Sequence, residues 1–156
     1  DNDVAFNWTK IENASTLKGH PTKLVSCVML DPTAGLSGTI DLVFCRGAGA
    51  DGTAPTTAQN LLSSADGSAA PDITAAETLE IVVCGATNLT ANAGNGSQNR
   101  VVFGTLAQVM ARTNINLVMA PASNSRDLYV GGIWTDNPTD QSGGLTYLEL
   151  YLGFEG

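Results

Sequence analysis

The sequence predicts an all-β protein, a single-domain antiparallel β-sandwich of jelly-roll type with about eight strands. Apolar residues alternate with a period of two through most of the chain, as in strands that bury one face. Turn-forming runs such as Asp-Pro-Thr-Ala-Gly at 31–35 separate these stretches at short intervals. The length of 156 residues suits one domain covering 1–156, and no run of eighteen apolar residues predicts a membrane span.

The predicted strands follow one another along the chain with turn-rich connections between them. In order, they cover residues 4–9, 22–30, 38–47, 77–87, 100–112, 115–123, 127–134 and 145–154. The first lies in a segment, 1–12, that is either an edge strand or an N-terminal arm. The second alternates as a strand buried on both faces does, and the fifth is ambiguous because its second half also fits a helix.

Alternating apolar side chains predict which face is buried in two of the strands. The third strand puts Ile40, Leu42 and Phe44 on one face, and the fourth does the same with Leu79, Ile81 and Val83. Two stretches predict loops rather than strands. Residues 47–72 are too long and too rich in small residues for a hairpin and predict an excursion from the core, with a helical turn or two in 55–65; residues 88–99 predict a polar loop.

Composition and charge narrow the classes of partner. Charged residues make up only 14 %, and the net charge is −8. The seven basic residues are scattered, which disfavours nucleic acid and anionic lipid as partners because both need cations clustered on one face. Sparse charge suits either a protein that packs against neighbours over much of its surface or simply a Gly/Thr-rich β protein.

Three cysteines, Cys27, Cys45 and Cys84, each lie in an apolar strand-like run. Their spacing matches no zinc motif, so they are expected to be small buried hydrophobes in a reducing compartment, with one disulfide between two strands as the alternative. The chain opens on a polar stretch, so no signal peptide is visible, and a leader removed before residue 1 stays open.

No set of residues in the sequence is convincing as a catalytic site. The single histidine, His20, stands beside a proline in a predicted turn, and the carboxylate pairs Glu77/Glu80 and Asp136/Asp140 are expected by chance. The sequence therefore predicts no enzyme and no cofactor. The TDNPTD run at 135–140 offers oxygen ligands for calcium, but such a run usually forms only a turn.

The last thirty residues concentrate the aromatic side chains, with five of the nine in the chain. The run LYVGGIW, a loop rich in Thr, Pro and Ser, and a final LTYLELYLGFE together resemble the C-terminal hairpin of jelly-roll decoration (cement) proteins on tailed-phage heads. That resemblance covers about a fifth of the chain and transfers no individual site residue. It implies a structural virion protein on the outer capsid surface, assembled in the host cytoplasm as a homotrimer that binds the major capsid protein and stabilises the shell.

The final predicted strand has two different faces. Leu148, Leu150, Leu152 and Phe154 point one way and predict the core face. Tyr147, Glu149 and Tyr151 point the other way and predict a subunit interface, unless the tyrosine rings merely cover the neighbouring strand.

A second hypothesis from a different class is a carbohydrate- or receptor-binding β-sandwich, such as a fibre tip or an adhesin head. Its predicted ligand loop contains Trp134, Asp136 and Asp140.

Overall fold

The protein is known from a computed structural model. It describes residues 4–31, 39–56, 75–90, 99–102, 105–134 and 149–156. Within these ranges lie eight strands and one short helix. In chain order they are β1 (Val4–Ile11), β2 (Thr22–Asp31), β3 (Thr39–Cys45), α1 (Ala75–Ile81), β4 (Val83–Thr90), β5 (Asn99–Val102), β6 (Thr105–Met119), β7 (Leu128–Trp134) and β8 (Glu149–Glu155).

The strands form two four-stranded sheets, which confirms the predicted all-β sandwich. Sheet A has the order β1-β7-β3-β4, and sheet B has the order β5-β6-β2-β8. Every pairing between neighbouring strands is antiparallel. Strands β1 and β8 therefore lie at sheet edges, and β1 is the part of the 1–12 segment that forms an edge strand.

Three of the pairs are nested in the sequence. Strand β1 pairs with β7, β2 pairs with β6, and β3 pairs with β4. Successive pairs also alternate between the sheets, since the first and third belong to sheet A and the second belongs to sheet B. The chain thus folds as a long hairpin that is rolled up across the two sheets.

The core lies between the sheets and contains residues from both. Its buried side chains include Leu24, Cys27 and Met29 from β2 and the predicted inward row Ile40, Leu42 and Phe44 of β3. Trp134, at the end of β7, is the largest fully buried side chain. Burial of each such side chain stabilises the fold by roughly 1.5–3 kcal/mol.

The prediction that β2 is buried on both faces is wrong. Leu24 is buried, and the next buried residues are Cys27 and Met29, so the inward parity changes between them. In the pairing with β8, a register shift between Leu24 and Ser26 leaves Val25 as the extra residue. The apolar run therefore reflects a β-bulge, which switches the buried face halfway along the strand.

The strand predicted over 77–87 is also wrong in its first half. Residues Ala75–Ile81 form α1, and β4 begins only at Val83. Leu79 is 78 % exposed whereas Ile81 is fully buried, so the two do not share a strand face. The AAETLEI run is rich in helix-forming Ala, Glu and Leu, and this propensity outweighs the short alternation.

Three predicted boundaries shift as well. Residues 88–90 continue β4 instead of beginning the predicted loop. The stretch predicted as one strand over 100–112 is divided between two antiparallel strands, β5 and the first part of β6, and its helical alternative is wrong. Strand β6 also takes in much of the segment predicted as a separate strand over 115–123. It pairs with β5 at its start and with β2 along most of the rest, apart from residues 114–116.

The first part of the predicted excursion 47–72 is attached to the body. Ala48 and Thr53 form an isolated bridge, and the Tyr129 hydroxyl donates a hydrogen bond to the carbonyl of Gly52 at 3.0 Å. Gly52 is buried, with a left-handed φ of 63°. The remainder of the excursion, with its predicted helical turns, lies outside the described residues.

Candidate functional site

The closing strand β8 carries the predicted interface residues. It pairs with β2 alone, so its other edge has no strand partner among the described residues. Leu150, Leu152 and Phe154 pack against the core, as predicted from their alternation. The opposite face carries Glu149 and Tyr151, both exposed. Tyr147 and Leu148 lie outside the described residues.

Tyr151 and Glu149 are hydrogen-bonded to each other on this face. The Tyr151 hydroxyl donates a hydrogen bond of 2.9 Å to Glu149 Oε2, and this bond raises the pKa of the tyrosine above its usual value. The ring remains 55 % exposed, which is unusual for so large an apolar surface. The pairing holds an amphipathic side chain in one orientation and so lowers the entropy cost of contact with a partner.

The outer face of sheet B also has a paired charge among the side chains that the structure describes. Lys23 lies between Val118 of β6 and Glu155 of β8 in the sheet register, and its Nζ is 2.9 Å from Glu155 Oε2. Val118 is 61 % exposed. The face thus combines exposed apolar groups with a charge that is already paired.

The tail is not a hairpin, contrary to the prediction. Strand β7 belongs to sheet A and β8 to sheet B, so the chain crosses from one sheet to the other between them. The connection over 135–148 is far longer than the 2–5 residues of a common hairpin loop, and its length permits the crossing. The resemblance to a C-terminal hairpin therefore loses its structural basis at this point.

The predicted ligand loop is only partly described. Trp134 is 1 % exposed and belongs to the core, so its ring is not a surface platform. Its indole Nε1 is buried without a hydrogen-bond partner. Asp136 and Asp140 lie outside the described residues, and the calcium prediction for this loop lies there with them.

A cleft of about 440 Å³ opens where β4 lies beside β6. Its polar lining consists of one carboxylate, three amides and one hydroxyl, and its apolar lining of three aliphatic side chains. These residues are Asp41, Thr87, Asn88, Asn114 and Asn116, with Ala86, Ile115 and Leu117. No lysine or arginine is among them. Asp41 and Asn88 are direct cross-strand neighbours on β3 and β4.

A distortion of β6 builds one wall of this cleft. Between the partners of Leu24 and Ser26, strand β6 has three residues, 114–116, where β2 has one. Asn114 has a left-handed φ of 58°, a conformation that asparagine tolerates better than most residues. The extra residues turn both asparagine side chains of this segment out of the ladder, since Asn114 and Asn116 are exposed and Ile115 is buried.

Sequence reasoning missed this cleft. The alternation in Asn-Ile-Asn was visible, but it indicates only a strand with one polar face. The bulge depends on pairing with β2, which lies some ninety residues earlier, and no local signal reveals it.

The cysteines are all unpaired, so the expected reduced state fits the structure and the alternative disulfide is absent from it. Burial raises the pKa of Cys45 to about 12 and that of Cys84 to about 11. At neutral pH both groups are thiols rather than nucleophilic thiolates. His20 is exposed in the turn before β2, as expected for a turn residue.

Among the described residues, no group of three or more His, Cys, Asp or Glu side chains is arranged to hold a metal ion. No helix within the described ranges is long and apolar enough to cross a bilayer.

The chain defines an all-β sandwich with a candidate interface on β8 and a polar cleft beside β6. Comparison with protein-family models, with characterised proteins and with solved structures found no match. The function is therefore inferred from the two sites themselves.

Proposed function

We propose that the protein is a non-enzymatic structural component of a virus particle, a decoration protein that binds the outer surface of the capsid. It assembles as a homotrimer and contacts the major capsid protein. The observation that carries the proposal is the exposed Tyr151–Glu149 pair on β8, an edge strand whose inner face is anchored in the core. Such a strand offers a rigid amphipathic surface and a row of backbone groups that no described strand pairs with.

The nested strand pairs support the jelly-roll part of the proposal. In a jelly roll the chain is a folded hairpin whose successive pairs alternate between two sheets, and three such pairs are present among the described residues. Jelly rolls are common in capsid shells because their sheet faces and edges leave several surfaces for neighbours.

The charges on β8 favour a ring over a twofold dimer. If two copies paired their β8 strands antiparallel over all seven residues, Glu149 of each copy would lie opposite Glu155 of the other. Like charges directly opposite each other destabilise a strand pair. A heterologous contact, in which β8 meets a different surface of the next copy, avoids this repulsion and is compatible with a closed ring such as the proposed trimer.

The proposal is tested by the mass of the protein in native buffer and by binding to capsids. The wild type is expected to be a trimer that rebinds capsids stripped of their decoration protein. Tyr151→Ser is expected to shift the protein to monomer and to weaken binding by at least tenfold, because a central tyrosine often contributes 2 kcal/mol or more at an interface.

The matched control is Leu79→Ser, which removes an even more exposed apolar side chain from α1. It should leave the trimer and the binding unchanged. A wild type that stays monomeric at high concentration and does not bind stripped capsids would overturn the proposal. So would a Tyr151→Ser variant that assembles as well as the control.

One observation favours a second function, a carbohydrate- or receptor-binding module. The cleft beside β6 has the polar lining of a ligand site, although it differs from the loop that the sequence suggested. A monomeric wild type with a soluble ligand would support this second function over the first.

A further inference from the structure

We infer that the cleft between β4 and β6 is a binding site for a neutral saccharide. It shares no lining residue with β8, so the inference holds whether or not the protein decorates a capsid. Its volume of about 440 Å³ falls within the usual range of small-molecule sites.

The hydrogen-bonding groups in the cleft indicate what kind of ligand it takes. An amide side chain both donates and accepts, and a carboxylate accepts from two hydroxyls. Asn88, Asn114 and Asn116 with Asp41 therefore present donors and acceptors side by side. This mixture suits vicinal hydroxyl groups, each of which also donates and accepts.

The charge of the lining excludes other classes of ligand. With no lysine or arginine, the cleft has no counter-ion for phosphate, sulfate or a carboxylate ligand. With one carboxylate, Asp41, it lacks the several anionic ligands that a tight calcium site uses. The charge of the lining thus favours a neutral ligand, and its mixed donors and acceptors favour a polyhydroxylated one.

The apolar part of the lining completes the match. Leu117 of β6 is half-buried and Ala86 of β4 is exposed, so both add aliphatic surface to the cleft beside the amides. Sugar rings carry C–H groups on their faces and hydroxyls on their rims, so a lining with aliphatic and amide groups can contact both.

The backbone fixes one of the hydrogen-bonding groups in place. The left-handed φ of 58° at Asn114 arises from the three-residue bulge and orients its amide independently of the sheet pleat. Bulges commonly re-aim a side chain beside a functional site. Glycine adopts the same backbone conformation readily, which gives a way to delete the amide without disturbing the bulge.

The experiment uses gluco-, manno- and galacto-configured neutral trisaccharides, each titrated into the isotopically labelled protein and followed by NMR. At least one is expected to bind and to shift the amide signals of residues 86–88 and 114–117. Asn114→Gly and Asp41→Ala should each weaken that binding about three- to tenfold, the effect of losing one or two ligand hydrogen bonds.

The matched control is Asn13→Gly. Asn13 also has a left-handed φ, 54°, but it lies in the turn after β1 and outside the cleft. This variant should bind as the wild type does, and both glycine variants should keep the wild-type circular dichroism spectrum. If no trisaccharide binds, or if the hit binds Asn114→Gly and Asp41→Ala as well as the control, the inference is wrong. Saturable binding of inorganic phosphate or of calcium ions in the cleft would overturn it as well.

Discussion

The thiols of Cys45, buried at the end of β3, and of Cys84, partly buried at the start of β4, should make the protein unstable at high pH. Burial raises the pKa of Cys45 from 9.0 to about 12 and that of Cys84 from 9.0 to about 11. Above pH 9 the unfolded chain loses these protons while the folded chain keeps them. Since the folded state then binds more protons, the free energy of unfolding falls as the pH rises.

The size of the effect follows from the two pKa values. Each thiol lowers the free energy of unfolding by about 1.4 kcal/mol for every pH unit above 9, until its folded pKa is reached. Together Cys45 and Cys84 remove about 2 to 3 kcal/mol by pH 10. That is a large share of the 5–15 kcal/mol that typically stabilises a domain.

The assay is urea unfolding followed by far-UV circular dichroism at pH 8, 9 and 10 in reducing buffer. The wild type is compared with the double variant Cys45→Ala/Cys84→Ala. The variant is expected to be less stable at pH 8, because it loses buried side chains, but to lose about 2 to 3 kcal/mol less between pH 8 and pH 10.

Comparing how the free energy of unfolding changes with pH in the two proteins separates the thiols from every other group that titrates in this range. If the two proteins lose the same free energy between pH 8 and pH 10, the thiols are not responsible and the argument fails. An independent check is alkylation by iodoacetamide at pH 8, which should be much slower for the folded protein than for the urea-unfolded one.

Three further predictions concern the tail, an ion pair and a close contact. A chain that ends at Gly144 lacks β8 and three core side chains, so we expect it to be insoluble or unassembled; a soluble, assembled truncate in size-exclusion chromatography would contradict this. Asp127 accepts a hydrogen bond from Lys10 at 2.9 Å, which lowers the pKa of the carboxyl group. Asp127→Asn should therefore reduce the free energy of unfolding slightly at pH 7, and the difference from the wild type should shrink as the pH falls below 3.8 and through the lowered folded pKa, because the carboxylate stabilises only while it is ionised. At Gly132 a Cβ would lie 2.8 Å from Cδ1 and 2.9 Å from Cζ of Phe6. Gly132→Ala should therefore lower the free energy of unfolding in urea by about 1–3 kcal/mol. An unchanged urea midpoint would contradict this and show that the Phe6 ring moves aside freely.

The strands that the sequence predicted best are those with one clear apolar face. In β3 the row Ile40, Leu42 and Phe44 is buried as expected, because alternation and burial coincide. The 77–87 segment failed because alternation over a few residues also fits a helix, and Leu79 faces solvent on α1. For β8 the inward row was correct although its sheet was not.

The candidate sites were predictable to different degrees. Glu149 and Tyr151 could be assigned to an exposed face from alternation alone. Trp134 looked like part of a ligand loop because it precedes a run of Asp and Asn, yet it is buried in the core. The cleft was invisible in the sequence because its residues come from β3, β4 and β6, separated by as many as 76 positions (41 to 117).

The sequence by itself determined the β class, the alternation that separates inner from outer faces, and the low content of charged residues. These depend on composition and on residues two positions apart. Only the tertiary structure decided which strands pair, that β7 and β8 lie in different sheets, and where β6 bulges. A period of two is the same in every strand, so it cannot specify a partner. The pairing is set by packing between distant segments, as where the Thr22 hydroxyl donates to the carbonyl of Glu155, 133 residues away.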